Sequence, residues 1–260
     1  MTSAALAALL RHDRAVVLGG LGAVTAAAWV YLFFGAGVPM AMMDMGGGQM
    51  MAMPAEWTPA YALLIVTMWV VMMVAMMLPA ALPVVLLAAT IDRRRGASGM
   101  PGRSALFTSG YLLAWTGFSI AATALQWALD TVGLLSESMA MANRLLAGAI
   151  LLAAGIYQWT SLKEACLAHC RSPMGFLMQH WRASRLGAVA IGLRHGLFCI
   201  GCCWVLMALL FVGGLMNLLW VGAITLLVLV EKTTPWGGRM ARIGGAVLAV
   251  WGAATLATAI

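Results

Sequence analysis

The sequence predicts an all-α, polytopic membrane helix bundle: a single integral membrane domain over residues 1–260, with about seven transmembrane helices and an interfacial cytoplasmic helix. Composition is the first ground for this. Of 260 residues, 63% are hydrophobic and only 9% charged, where a soluble domain carries about 25% charged residues. The second ground is a mean hydropathy of +0.97. The third is the recurrence of apolar stretches near bilayer length from end to end. Too little charge remains to coat a water-exposed globule. A soluble enzyme, a nucleic-acid-binding module and a disordered chain are therefore excluded, and the lipid bilayer is the first expected partner.

The elements follow in order. Residues 15–34 form the first run, preceded by Arg11 and Arg14. The run exceeds the 7–15 residues of a signal-peptide core, so it is read as helix 1. Residues 61–91 contain no charged residue over 31 positions, more than a span requires, so this helix must tilt, kink or project. Pro79 and Pro83 predict a break in its later half, because each removes a donor and crowds the preceding turn. Residues 105–129 and 145–162 give helices 3 and 4. Residues 195–212 and 215–230 predict a hairpin turning at Gly213-Gly214, either fully spanning or re-entrant, and Asn217 suits the cap of its second helix. Residues 243–260 give helix 7.

Charge sets the orientation. Segments 1–14, 91–104, 163–194 and 231–242 hold 14 of the 15 Lys and Arg residues, and Arg144 stands apart. The intervening loops carry Asp44, Glu56, Asp130 and Glu137. The positive-inside rule then predicts a multi-pass protein of the inner (plasma) membrane, with its N-terminus cytoplasmic and its C-terminus extracytoplasmic. Between 162 and 194, basic Lys163, Arg171, Arg182 and Arg185 alternate with Phe176, Leu177 and Trp181, the mixture of an interfacial helix or of a solvated connector near anionic lipid.

Sulfur is the compositional peculiarity, with 21 Met and 5 Cys. Residues 40–53 hold seven methionines (Met40, Met42, Met43, Met45, Met50, Met51 and Met53) around Gly46-Gly47-Gly48. Thioether sulfur is a soft, neutral donor for Cu(I) or Ag(I); flexible apolar filler at the lipid interface is the other reading. Met139, Met141 and Met216 fall near the same face. Met68, Met72 and Met76 recur every four residues and form one helical stripe, with Met73 and Met77 beside it. That stripe is either core packing or a row of weak sulfur sites.

The cysteines fall in two clusters. Cys166 and Cys170 flank His169 at i,i+4, which places both thiols on one helix face. Cys199, Cys202 and Cys203 follow His195 by one turn. Buried Cys is commonly a small hydrophobe, yet two tight clusters with none elsewhere suit a shared soft-metal site, with His169, His180 or His195 as imidazole donors. A reducing cytosol keeps such thiols free. Glu231-Lys232 is expected to form a mutual salt bridge with a snorkelling lysine, or to serve proton coupling.

Taken together, Met68-Trp69 through Met72-Met73, Met76-Met77 and Pro79, with Ser161-x-Lys163-x-x-Cys166-x-x-x-Cys170-Arg171-x-Pro173 and Cys199-x-Gly201-Cys202-Cys203-Trp204, resemble a bacterial family of predicted metal-binding integral membrane proteins, sometimes labelled copper chaperones. The resemblance covers about residues 60–235, including Phe211, Gly214, Met216, Asn217 and Glu231-Lys232. The Met-rich loop lies outside it. The resemblance implies copper handling; the residues themselves offer no catalytic constellation, and no organic cofactor is expected.

The expected function is therefore handling of copper as Cu(I), by transport or by delivery to a copper-accepting protein. The metal residues expected are Met42, Met45 and Met50 outside, Met68, Met72, Met73, Met76 and Met77 within helix 2, and Cys166, His169, Cys170, His195, Cys199, Cys202 and Cys203 inside. The alternatives are a subunit or assembly factor of a larger membrane complex, and a thiol–disulfide exchanger using the Cys199-x-x-Cys202 spacing.

Overall fold

A computed structural model describes residues 3–37, 41–44, 50–53, 56–94, 102–136, 139–180 and 184–259. The described residues form helices α1 (Ser3–Phe33), α2 (Pro59–Arg94), α3 (Arg103–Thr131), α4 (Arg144–Tyr157), α5 (Ser161–Arg171), α6 (Pro173–His180), α7 (Arg185–Ala208), α8 (Leu210–Gly213), α9 (Leu218–Thr233) and α10 (Gly237–Ala257). Between α1 and α2 a short antiparallel ribbon pairs β1 (Ala41–Asp44) with β2 (Met50–Met53), Ala41 facing Met53 and Asp44 facing Met50. The all-α expectation holds for the body of the chain.

Among the described residues, five stretches are long and apolar enough to cross a membrane: Ala15–Phe33, Pro59–Ile91, Arg103–Thr131, Arg185–Gly213 and Gly237–Ala257. A sixth is added if α4 and α5 count as one bent span. This is fewer than the seven expected, for two physical reasons. Residues 145–162 do not form one helix, because the chain breaks after Tyr157 and α5 leaves α4 at 64°. Thr160 restarts it as N-cap, its hydroxyl accepting from the Lys163 N–H and satisfying an otherwise orphaned donor. The other shortfall is α9, whose 16 residues reach about 24 Å at 1.5 Å per residue, against a hydrocarbon core of about 30 Å.

The break expected at Pro79 and Pro83 does not occur, and α2 stays helical through both. Pro79 leaves the Ala75 carbonyl without its usual donor. The Trp29 indole N–H, from α1, donates to that oxygen at 3.2 Å. Nearby, the Tyr111 hydroxyl of α3 donates to the Met77 carbonyl at 3.0 Å. Neighbouring helices supply what proline removes, which is how membrane helices tolerate it.

The segment 163–194 is not a single interfacial helix either. It comprises most of α5, all of α6 and the start of α7, and Phe176 and Leu177 are buried in the core rather than turned to lipid. Trp181 and Arg182 lie outside the described residues. Ser184 caps α7 by accepting from the Gly187 N–H at 3.0 Å, so this helix starts at Arg185, well before His195. Helices α3 and α7 then meet backbone to backbone. A Cβ on Gly192 would run into the Phe107 carbonyl, and one on Gly110 into the Val189 carbonyl; only glycine allows that approach. Past α8, Gly214 turns the chain with φ 89°, and Asn217 caps α9 as expected, its Oδ1 accepting from the Trp220 N–H at 3.2 Å.

Candidate metal centre

All five cysteines are free thiols, and the fold gathers them. Cys199, Cys202 and Cys203 are buried on α7. Cys166 and Cys170 come from α5, which packs on α7. Cys170 lies near Cys199 and Cys202. Cys166 lies over Gly201, where a Cβ would stand 2.8 Å from its sulfur. Spacings of three and four residues on each helix bring these side chains onto facing surfaces. The Cys202 and Cys203 thiols both donate to the Cys199 carbonyl, at 3.1 and 2.9 Å.

The cluster lies midway along its helices rather than at a helix end. Cys199 falls midway along Arg185–Gly213, and Met77 falls midway along α2. The early start of α7 moves the three cysteines inward from the helix end expected for them.

Lys232 is the functional residue that the sequence reading missed. Successive helix residues point about 100° apart, so Glu231 and Lys232 do not face each other. Lys232 is buried among sulfurs: its Nζ donates to Cys199 Sγ at 2.8 Å and lies 3.7 Å from Cys203 Sγ and 3.8 Å from Met77 Sδ. The Tyr111 hydroxyl is 3.0 Å from Cys199 Sγ. Glu231 pairs elsewhere, with Lys163 Nζ at 2.6 Å, both side chains 1% exposed. Gln158 completes that group, donating from Nε2 to Glu231 Oε1 at 2.9 Å and accepting from Lys163 Nζ through Oε1. The expected Glu231–Lys232 salt bridge is thus replaced by two separate arrangements. A lysine closing an apolar run was the available signal, and snorkelling was the wrong inference from it.

The two expected imidazoles part company. His195 is 3% exposed and sits among the rings of Phe107, Tyr111 and Phe176, with centroids 5.8, 5.9 and 5.1 Å away. Among the described residues its Nδ1 has no hydrogen-bond partner, an omission that costs about 1–3 kcal/mol for a buried polar atom. His169 instead stacks flat on Phe198, centroids 4.2 Å apart and planes 3° apart, with Nδ1 2.8 Å from the Ala165 carbonyl oxygen.

Met68, Met72, Met73, Met76 and Met77 are each at most 1% exposed. Met68 and Met72, with Met216, line a cavity of about 180 Å³ together with Leu32, Phe33, Gly35, Ala36, Leu215 and Leu218. At the far end of the row, Met77 reaches the thiol cluster through Lys232. The rise from Met68 to Met77 is about 14 Å. Of the outer-loop residues expected to bind metal, Met45 lies outside the described residues. Met42 and Met50 lie on β1 and β2, where Met42 pairs with Ala52 and Met50 with Asp44; their side chains are outside the described part.

Among the described residues, no group of three or more His, Cys, Asp or Glu side chains is arranged to hold a metal ion. What the fold assembles is a pair of soft-donor regions, thioethers at one end and thiols at the other. Residues 66–255 match the model of the family PpoB2, described as copper chaperone. Neither a curated protein nor a solved structure matches the chain.

Proposed function

The chain belongs to the PpoB2 copper chaperone family, and from that premise we propose that it carries Cu(I) between a thioether-lined cavity and a buried thiol cluster, for passage across the membrane or to a copper-accepting protein. The observation that carries this reading is the continuity of sulfur. A buried Met row on α2 begins at the cavity with Met68 and Met72 and ends with Met77 beside Lys232, Cys199 and Cys203. Thioethers need no deprotonation and bind Cu(I) reversibly, while thiolates bind it more firmly. Weak sites in series suit transfer, and a tight site suits storage before hand-off. Two sulfurs in line satisfy a monovalent d¹⁰ ion, so two thiolates suffice and a three-ligand cage is not needed.

Counting α4–α5 as one bent crossing, and α9 as a short one met by local bilayer thinning, gives seven crossings and opposite sides for the two termini. The confinement of 14 of 15 Lys and Arg residues to alternate segments supports a cytoplasmic N-terminus in an inner (plasma) membrane. In that frame the Met42, Met45 and Met50 loop faces outward and feeds the cavity.

The test is a Cu(I) competition titration on reduced, detergent-purified protein, beside a variant with Cys166, Cys170, Cys199, Cys202 and Cys203 all changed to Ser. Tight binding in the parent that is lost in the variant is expected. Equal binding by both would overturn the thiol site.

A further inference from the structure

Lys232 is a buried cation whose polar neighbours are sulfurs and a phenol. Its Nζ is 2.8 Å from Cys199 Sγ, 3.7 Å from Cys203 Sγ and 3.8 Å from Met77 Sδ, and the Tyr111 hydroxyl touches Cys199 from the other side at 3.0 Å. The carboxylate beside it in sequence, Glu231, is committed to Lys163 and Gln158. A buried charge is tolerated only where something offsets it, and among the described residues the hydrogen-bond partners of Nζ able to carry negative charge are the Cys199 and Cys203 thiols. Metal binding deprotonates thiols.

Charge counting over the two thiols that Lys232 Nζ reaches, Cys199 and Cys203, then gives a definite result. Two thiolates binding one monovalent cation leave an assembly of charge −1, and Met77 contributes a donor but no charge. The Lys232 ammonium brings the total to zero. With a divalent ion in the same place, the total is +1 in the middle of an apolar bundle. Removing Lys232 reverses the preference, since two thiolates neutralise a divalent ion unaided.

Resting on the reading that these thiols hold the metal, we infer that Lys232 is the specificity-determining residue of the cluster. Cys199, Cys203 and Met77 bind one soft monovalent cation, and the Lys232 ammonium neutralises the complex and excludes divalent ions. Softness alone does not make this distinction, because Cd(II) is as acceptable to thiolate as Ag(I). Charge does.

The test compares Ag(I) with Cd(II), one soft ion of each charge, by competition titration on the full chain in detergent under reducing conditions. The proteins are the parent, Lys232→Leu and Lys232→Arg. The ratio of Ag(I) to Cd(II) affinity is expected to fall at least about tenfold in Lys232→Leu, corresponding to 1.4 kcal/mol, and to stay near the parent value in Lys232→Arg. A folded Lys232→Leu protein with the parent's ratio overturns the inference. Should Lys232→Leu fail to fold, Lys232→Gln removes the charge while keeping a donor among the sulfurs, and the same two outcomes apply. The five-serine variant separates the two levels. If it binds Ag(I) as the parent does, the thiol site itself fails; if only the Ag(I)/Cd(II) ratio ignores Lys232, the site stands and its charge selectivity falls.

Discussion

Lys163 and Lys232 are both buried, and α9 supplies a partner to one and the other itself. Lys163 meets a carboxylate and an amide, and every polar atom of the Lys163–Glu231–Gln158 group reaches another. Lys232 meets polarisable sulfur. The first arrangement is electrically closed and holds the bend between α4 and α5 against α9. In the second, the hydrogen-bond partners of the ammonium among the described residues are two thiols and a thioether. Burial of lysine in a membrane bundle therefore marks function only where the partners are chemically unfinished.

The comparison breaks most visibly at Glu231. Glu231→Leu strands the Lys163 ammonium, and a loss of about 3–5 kcal/mol is expected, read as a lower thermal midpoint of the purified protein. The double variant Lys163→Met/Glu231→Leu should recover most of it, because replacing both members of a buried pair with apolar groups is nearly neutral. A double variant as unstable as the single one would show that the group is not a clamp. Lys232→Leu should lower the midpoint less than Glu231→Leu, since neutral thiols are left behind rather than an unpaired ion.

Gly192→Ala comes next. Its new methyl meets the Phe107 carbonyl, and overpacking costs about 1–3 kcal/mol. Because α3 must move away from α7, Tyr111 should also leave Cys199, visible as faster modification of Cys199 by a thiol reagent. Trp29→Phe removes the donor to the Ala75 carbonyl and should cost about 1–2 kcal/mol, measured by the same melt. Met72→Leu is the mildest, under about 1.5 kcal/mol for a volume-conserving change. Its effect should fall on loading: Ag(I) reaches the cysteines more slowly while the amount finally bound is unchanged. An unchanged loading rate would count against the Met row as a path.

Much of this was legible in the sequence. Apolar length located the main helices, because bilayer thickness demands about 20 residues in a run, and Asn217 announced its cap. The clustering of cysteines at i,i+3 and i,i+4 announced a shared surface. Depth was not legible. The start of α7 depends on Ser184, hidden inside a stretch whose arginines read as loop, and that start decides how deep Cys199 lies. The prolines misled for a related reason: Pro79 predicts a break only if nothing replaces its hydrogen bond, and Trp29 stands 46 residues away. The partner of Glu231 is likewise remote, at Lys163, where the adjacent Lys232 looked the natural choice. Among the imidazoles, the surroundings were not legible: His195 packs among rings from α3 and α6, and the stacking of His169 on Phe198 depends on how α5 lies across α7.

One wall of the cavity comes from Leu32, Phe33, Gly35 and Ala36, and the opposite wall from Met68, Met72, Met216 and their neighbours. The family match begins at residue 66, so the first wall precedes it and the second lies inside it. The cavity thus joins residues that precede the family match to residues inside it. Exchanging α1 for another apolar helix would then change the first wall and leave Cys199, Cys203 and Lys232 in place.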